Sequence, residues 1–436
     1  MNSRRDICGS DLIRLFSNQR GPVAQLDRAL RFERRGWEFK SLRVHHSQTN
    51  SVFCSDVASL PPSFKFLSIG RTVAALSYNA SVKNWDAIIV GGGIIGLSLS
   101  IALHKRGLRV LVVERGEPGR EASHAAAGML ADCPLETPAA LQALATASAR
   151  MYPEFVLELQ DESGIKVDLR DQGTLLFAPE HSAFVAQNPL PASLAELEPA
   201  MSGVKGPVAY LKERSVDPRA LVAAALKAAK HRGVDISFGT IAMDLLLSDG
   251  RVAGIQTDRT HYGAPCVVNC AGAWAGSFST HHFPTRPVKG QMLAVASAQH
   301  DLVRHVIRAP EVYLVPRSDG RIVIGSTLEE AGFDKRTDAD TIQRLHQAAI
   351  RLVPALEEAR ILEDWAGLRP GTPDDLPILG ATSTPGYFVT TGHFRDGILL
   401  TPVTAHVMAQ VITGEKPDHE LSAFSPQRFL EDRACL

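Results

Sequence analysis

Residues 86–115 read Asp86-Ala-Ile-Ile-Val-Gly91-Gly-Gly93-Ile-Ile-Gly96-Leu-Ser-Leu-Ser-Ile-Ala-Leu-His-Lys-Arg-Gly107-Leu-Arg-Val-Leu-Val-Val-Glu114-Arg115. An apolar strand over Ala87–Val90 runs into Gly91-x-Gly93-x-x-Gly96. A helix follows and stops near Gly107, and a second apolar strand, Val110–Val113, ends on Glu114. This is a complete βαβ unit of about thirty residues with a dinucleotide fingerprint at its first turn. Each glycine has a separate task. Gly91 makes the tight turn, Gly93 lets a pyrophosphate approach the backbone, and Gly96 lets the helix pack close to the strand. The helix N-terminus offers free N–H groups and a positive dipole end to the phosphates. Glu114 can accept hydrogen bonds from a ribose, and its charge would repel a 2′-phosphate. Ala87–Leu103 carries no charge, but it is short for a membrane span, holds glycines suited to a turn and runs into His104-Lys105-Arg106.

Outward from this unit, the 436 residues allow two or three domains. With 45% hydrophobic residues, 21% charged and a net charge of −1, the composition is that of an ordinary globular protein, without the basic bias of a nucleic-acid binder. The six cysteines form no CxxC pair and read as free thiols in a reducing compartment. Cytoplasmic placement follows as the expectation. Residues 1–84 hold thirteen Lys and Arg against six Asp and Glu, so that the remainder is acidic. They lack the apolar run of a secretory signal; their richness in Arg and Ser leaves a transit peptide open, against which their acidic residues speak. Gly21–His46 resembles the peptide obtained when a transfer-RNA gene is translated by mistake. On that reading the start lies downstream, near Val82, and residues 1–80 are a loosely packed extension.

Farther along, Glu121-Ala-Ser-His-Ala-Ala-Ala-Gly-Met-Leu130 is a run of small residues able to lie against a flat ligand. Leu141, Leu144, Met151, Phe155 and Leu159 sit at helical spacing. Asp217-Pro218 predicts an N-cap and first position for a helix ended by Gly233. Tyr313–Pro316 and Ile322–Gly325 predict a hairpin around Ser318-Asp319-Gly320, Ala339–Leu352 a helix, and Gly397–Thr413 another, with its N-terminus at Ile398. The fold class expected is α/β (α+β): a Rossmann-like dinucleotide domain over residues 85–163, 215–282 and 362–436, interleaved with a mostly antiparallel-sheet substrate domain over 164–214 and 283–361.

Four motifs together resemble the flavin-dependent D-amino-acid oxidase superfamily, and within it the glycine oxidases of thiamine biosynthesis. They are the fingerprint with Glu114, the segment Ala122–Met129, the pair Pro287-Val-Lys-Gly-Gln291 and Tyr313-Leu-Val-Pro-Arg317, and Trp365-Ala-Gly-Leu-Arg-Pro-Gly-Thr372 with Gly392-His-Phe-Arg-Asp-Gly-Ile-Leu399. The resemblance runs from about Asp86 to Thr413. It implies FAD, with its pyrophosphate on Gly91, Gly93 and Gly96 beside Ile94 and Ile95, and its ribose on Glu114 with Arg115 alongside. It implies that Ala122, Ser123, Ala127, Gly128 and Met129 line the middle of the cofactor, and that the backbone of Ile241 meets the adenine. His393, Phe394, Arg395, Asp396, Gly397, Ile398 and Leu399 would run under the flavin, where a helix N-terminus stabilises the charge of the reduced ring.

By the same resemblance Arg369 binds a substrate carboxylate, with Tyr313 and Arg395 supporting it. The cofactor carries the redox step, so no general base is assigned. The implied reaction is oxidative deamination of glycine or a small amine, with O2 as acceptor and hydrogen peroxide as product. Leu328 stands where glycine oxidases often carry Met, which leaves glycine, sarcosine and small D-amino acids such as D-alanine open as substrates. Two other functions stay open: a D-amino-acid dehydrogenase passing electrons to a membrane quinone, and a flavin-binding subunit without turnover. Against the first, no basic amphipathic helix follows residue 85. Against the second, Arg369, Tyr313 and Arg395 are all present. His124, His281 and His282 lack partners at ligand spacing, so no metal site is expected. No nucleic-acid partner is expected, and a homo-oligomer stays open.

Overall fold

The computed structural model describes residues 45, 46, 52, 53, 84–201, 204–278 and 282–429. The chain divides into two compact units, Met1–Ala80 and Ser81–Leu436. In the first, His45–His46 pairs antiparallel with Val52–Phe53; the other expectations for residues 1–80 lie outside the described residues.

The second unit is a mixed α/β fold whose six-stranded sheet runs in the order Asp235–Phe238, Val110–Glu114, Ala87–Val90, Val267–Asn269, Tyr387–Thr391, Ile378–Ala381. The first five strands are parallel, and the last is antiparallel to its neighbour. The side-chain period of two divides this sheet cleanly. Ala87, Ile89, Val110 and Val112 face a core built with Ile94–Lys105, Gln142–Ser163, Pro218–Arg232 and Thr401–Thr413. Ile88, Val90, Leu111 and Val113 face the other way, against a core shared with the meander Ala242–Ser248, Arg251–Thr257, His261–Gly263. The strand order reverses between Ala87–Val90 and Val267–Asn269, and a ligand crevice is expected outside the carboxyl ends of those two strands.

The cap at Asp217 forms as read: its side chain accepts the N–H groups of Arg219 and Ala220, Pro218 opens the helix, and Gly233 closes it in the left-handed conformation. One expectation needs correcting. The helix placed at Ile398 begins at Thr401, and residues 397–400 form a turn in which Leu400 N–H reaches Asp396 O at 2.8 Å. Pro402 sits in the first turn of that helix, where its missing N–H leaves no gap in the ladder.

A seven-stranded sheet runs Arg360–Gly371, Arg286–Ala296, Arg321–Gly325, Tyr313–Pro316, Val306–Arg308, Thr174–Phe177, Val208–Leu211, antiparallel except between Val306–Arg308 and Thr174–Phe177. Its two longest strands pair from Arg286 opposite Gly371 to Ala296 opposite Arg360. Trp365, Gly367 and Arg369 share one face by the strand period. The hairpin at Ser318-Asp319-Gly320 forms between Tyr313–Pro316 and Arg321–Gly325. No helix among the described residues is long and apolar enough to cross a membrane.

Candidate active site

Gly91 has φ +112°, and a Cβ there would stand 2.4 Å from the Cys270 carbonyl oxygen. A Cβ on Gly96 would stand 2.1 Å from Gly91 O. Both positions exclude a side chain because backbone meets backbone. Gly93 differs: a Cβ there would meet only Ser123 Oγ, at 3.4 Å, so the space above it is open. Gly93 is also the N-cap of Ile94–Lys105 and has no side chain to cap it; Ile94 N–H goes to Ser123 Oγ at 3.0 Å. Glu114 is held by two backbone amides, Gly92 N–H and Gly116 N–H, each at 2.8 Å, one to each carboxylate oxygen. The remaining lone pairs of that carboxylate are open to hydroxyl donors.

These groups open onto a cavity of about 830 Å³. Its wall takes in Gly91, Gly93, Ile94, Ile95, Glu114, Arg115, Ala122, Ser123, Ala127, Gly128, Met129 and Ile241, together with Tyr313, Arg369, His393, Phe394, Arg395, Asp396, Gly397 and Ile398. Two residues implicated by the sequence lie off that wall. Gly96 packs the helix against Gly91, and Leu399 sits in the core cluster beside Ile398 and Leu400. Ile241 gives its N–H to Asp258 Oδ1 and receives Asp258 N–H on its carbonyl, which leaves that oxygen a second lone pair. Arg115 lies with its guanidinium carbon 3.5 Å from the Trp274 ring centroid.

The cavity wall around Arg369 and Tyr313 is shaped by the seven-stranded sheet. Arg369 donates to Ser326 Oγ at 2.6 Å and to Thr327 O at 3.2 Å. Both acceptors are neutral, and among the described residues no carboxylate is paired with this guanidinium. Burial, with help from the Arg395 charge, lowers its pKa. Tyr313 donates to Met292 Sδ at 2.8 Å, and burial pushes its phenol up. Arg395 is exposed on the wall. The loop carrying it is tied to the arginine strand, because Phe394 donates its N–H to Pro370 O at 3.0 Å from a left-handed φ of +43°. A non-glycine residue there costs about 1 kcal/mol, which this tie helps to offset.

His393 is buried, with Nε2 3.2 Å from Thr404 Oγ1, and burial pushes its pKa down to about 3. It stays neutral near pH 7. Asp396 is pushed up to about 6 by burial, with Arg395 opposing and Glu136 adding to the shift. His124 Nε2 lies 3.0 Å from Arg120 Nη1, His282 Nδ1 lies 3.2 Å from Gly276 O, and His281 lies outside the described residues. Cys133, Cys266 and Cys270 are free thiols, and burial pushes Cys266 up to about 12. Cys8, Cys54 and Cys435 lie outside the described residues.

Some contributors carried no role in the sequence reading. Arg317 is buried and donates to Ala127 O at 2.6 Å and Val216 O at 3.0 Å, so it holds the small-residue segment in place from the second sheet. Its position inside the motif Tyr313–Arg317 was the available signal. Ser326 and Thr327 act on Arg369 through a hydroxyl and a carbonyl, which no pattern announces. Arg308 lines the cavity beside Tyr313 and is paired with Glu136 and, at 2.8 Å, with Glu213.

The open space over Gly93, a helix start whose N-cap residue has no side chain, the fixed Glu114 carboxylate and the cavity volume fit a dinucleotide with a second ring system. Known proteins agree. A family model described as FAD dependent oxidoreductase matches residues 86–411. The bifunctional protein ThiO/ThiG of Trichormus variabilis is 37% identical over 361 residues, covering 79% of this chain and 55% of that protein. The chain thus spans just over half the length of that relative. Glycine oxidase of Pseudomonas aeruginosa is 34% identical over 358 residues, covering 78% of this chain and 98% of that protein. The crystal structure of glycine oxidase from Geobacillus kaustophilus superposes with a TM-score of 0.74 at 30% identity, covering 79% of this chain and 99% of that one. This chain belongs to the DAO family of FAD-dependent oxidoreductases, and FAD is its cofactor.

Proposed function

We propose that the chain oxidises glycine or a similarly small amine: glycine, O2 and water give glyoxylate, ammonia and hydrogen peroxide. FAD, when bound, supplies the hydride acceptor and the site of reoxidation by O2. In this reading Gly91, Gly93, Ile94 and Ile95 receive the pyrophosphate, Glu114 the ribose, Ile241 the adenine, and residues 122–129 and 393–398 the rest of the cofactor.

The observation that carries the substrate reading is Arg369. A half-buried guanidinium whose hydrogen-bond partners, Ser326 Oγ, Thr327 O and the Tyr313 hydroxyl, are all uncharged near pH 7 has charge to spare for an anion. A carboxylate is the planar partner that two parallel N–H donors fit, and such a charge-assisted pair contributes about 1.5–3 kcal/mol. Tyr313 and Arg395 line the same cavity and add a phenol and a second positive charge. The residues' task is orientation: the clamp fixes the substrate in plane so that its Cα–H faces the cofactor. In this proposal the product is supplied to thiazole synthesis, with cytoplasmic placement as the matching expectation.

Peroxide release on adding glycine to the FAD-loaded protein tests this. Bleaching without peroxide would make the chain a dehydrogenase, and neither response would make it a binding subunit.

A further inference from the structure

The segment 326–338 leaves the strand Arg321–Gly325 and ends at Asp338, the N-cap of the helix Ala339–Leu352. Its root is fixed to the long strand Arg286–Ala296. Lys289 and Glu329 exchange backbone hydrogen bonds of 2.9 Å each, and the Gln291 side chain accepts Asp338 N–H at 2.7 Å while donating to Glu329 at 2.8 Å. The first residues of the segment, Ser326 and Thr327, hold Arg369.

The tip does something else. Phe333 is 49% exposed, yet it stacks on Trp274, with ring centroids 5.1 Å apart and planes 25° from parallel. Trp274 in turn carries the Arg115 guanidinium on its ring. Lys335 Nζ reaches Glu121 at 3.0 Å, and the same Glu121 pairs with Arg115 at 3.3 Å. Arg115, Glu121 and Trp274 all line the cavity, and Arg115 directly follows the ribose-type acid Glu114. A loop of the seven-stranded sheet therefore reaches across to the wall of the dinucleotide crevice and grips it by a ring and a charge.

We propose that residues 326–338 are a cofactor-retaining strap, in which Phe333 and Lys335 pin Trp274, Arg115 and Glu121 and so slow the release of FAD. The strap is built for this by its two ends: a root hydrogen-bonded to a long strand, and a tip with an aromatic face that packs on nothing but the crevice wall among the pairs formed by the described aromatic rings. A stacked aromatic pair corresponds to about a 2- to 10-fold change in an equilibrium or rate. A partly exposed ion pair adds less, about 5-fold at most, and is weakened by salt.

The test is the rate at which the FAD-loaded protein, diluted into buffer, gives up FAD, followed by the rise in free-flavin fluorescence. Phe333→Ala is expected to release FAD about 2- to 10-fold faster, and Phe333→Tyr, which keeps the ring, at the wild-type rate. Lys335→Gln is expected to release FAD somewhat faster at low salt and to lose most of the salt dependence of the wild type. Trp274→Leu removes the same stack from the other side and is expected to behave as Phe333→Ala does. Wild-type release rates in both Phe333→Ala and Trp274→Leu would overturn the strap, as would a rate for Phe333→Tyr as fast as that for Phe333→Ala.

Discussion

The guanidinium of Arg369 lies against Gly290 on the neighbouring strand: a Cβ added to Gly290 would stand 2.2 Å from Arg369 Nη1. The strand register explains this, since Gly290 is opposite Gly367, next but one to Arg369 on the same face. The absence of a methyl group is what leaves room for the guanidinium to reach Ser326 and Thr327. Gly290→Ala should therefore displace the far end of a flexible side chain without disturbing the backbone. The expected outcome is a KM for glycine raised about 10-fold or more, the equivalent of one charge-assisted hydrogen bond, with thermal stability and FAD content near wild type. Steady-state kinetics alongside thermal unfolding checks it.

Two glycines of one fingerprint should fail differently. A methyl on Gly93 projects into the crevice and meets only Ser123 Oγ, at 3.4 Å, whereas one on Gly96 collides with Gly91 O at 2.1 Å. Gly93→Ala should fold as a colourless protein with little loss of stability. Gly96→Ala should unfold at lower temperature, by an overpacking cost of about 1–3 kcal/mol. Thermal unfolding of the two apoproteins separates them, and equal stabilities would contradict the division of labour.

Arg317 is a buried cation whose donors serve the carbonyls of Ala127 and Val216. Burial lowers its pKa, with Asp217 and Asp168 opposing. Arg317→Met fills the space but leaves two buried acceptors unserved. The expected loss of stability is about 2–5 kcal/mol, together with weaker FAD binding because the segment 122–129 is no longer held. FAD titration at a temperature where the variant remains folded measures the second effect separately from the first.

Asp396 makes stability depend on pH in a stated direction. In the fold it holds its proton up to about 6, against 3.8 for an ordinary aspartate. Its contribution to stability is therefore fully present below about pH 4 and is lost as pH rises through 6. Asp396→Asn keeps the shape and cannot ionise. The apoprotein carrying it should be more stable than wild type by about 1–3 kcal/mol at pH 8, and equal to it near pH 4. Melting temperatures at those two pH values check the sign, and a gain that did not change with pH would contradict it.

Sequence legibility followed the range of the forces involved. The fingerprint unit was readable because glycine placement and apolar runs are local: the elements formed are Ala87–Val90, Ile94–Lys105 and Val110–Glu114. The cap at Asp217 was readable for the same reason. The strand Ala242–Ser248 went unread although its hairpin signal was present. Asp249 and Gly250 both take positive φ, 52° and 73°, as the Asp-Gly turn of a tight hairpin requires. The start at Thr401 was likewise signalled by Pro402 and was overridden by the motif beside it. Arg286–Ala296 and Arg360–Gly371 are stabilised along their length by each other, with Gly290 and Gly367 face to face inside them. Trp365–Pro370 reads as strand-like from the sequence, whereas glycines such as Gly290 argue against a strand when one chain segment is read at a time, and the full length of both strands follows only from their pairing. The partners of Arg369 were not readable, because the Thr327 carbonyl carries no residue signature and the Ser326 hydroxyl meets Arg369 only through strand pairing distant in sequence.

If Arg369 holds the carboxylate of a small amino acid against FAD, a plain carboxylate should bind through the same guanidinium. The most direct test is the affinity of a plain carboxylate, acetate or glycolate, for the FAD-loaded protein, read from the change in the flavin spectrum for wild type and for Arg369→Ala. Binding is expected to weaken about 10- to 150-fold in the variant, matching the 1.5–3 kcal/mol of a charge-assisted pair, with FAD still bound. Equal affinities in the two proteins, both carrying their full complement of FAD, would contradict it.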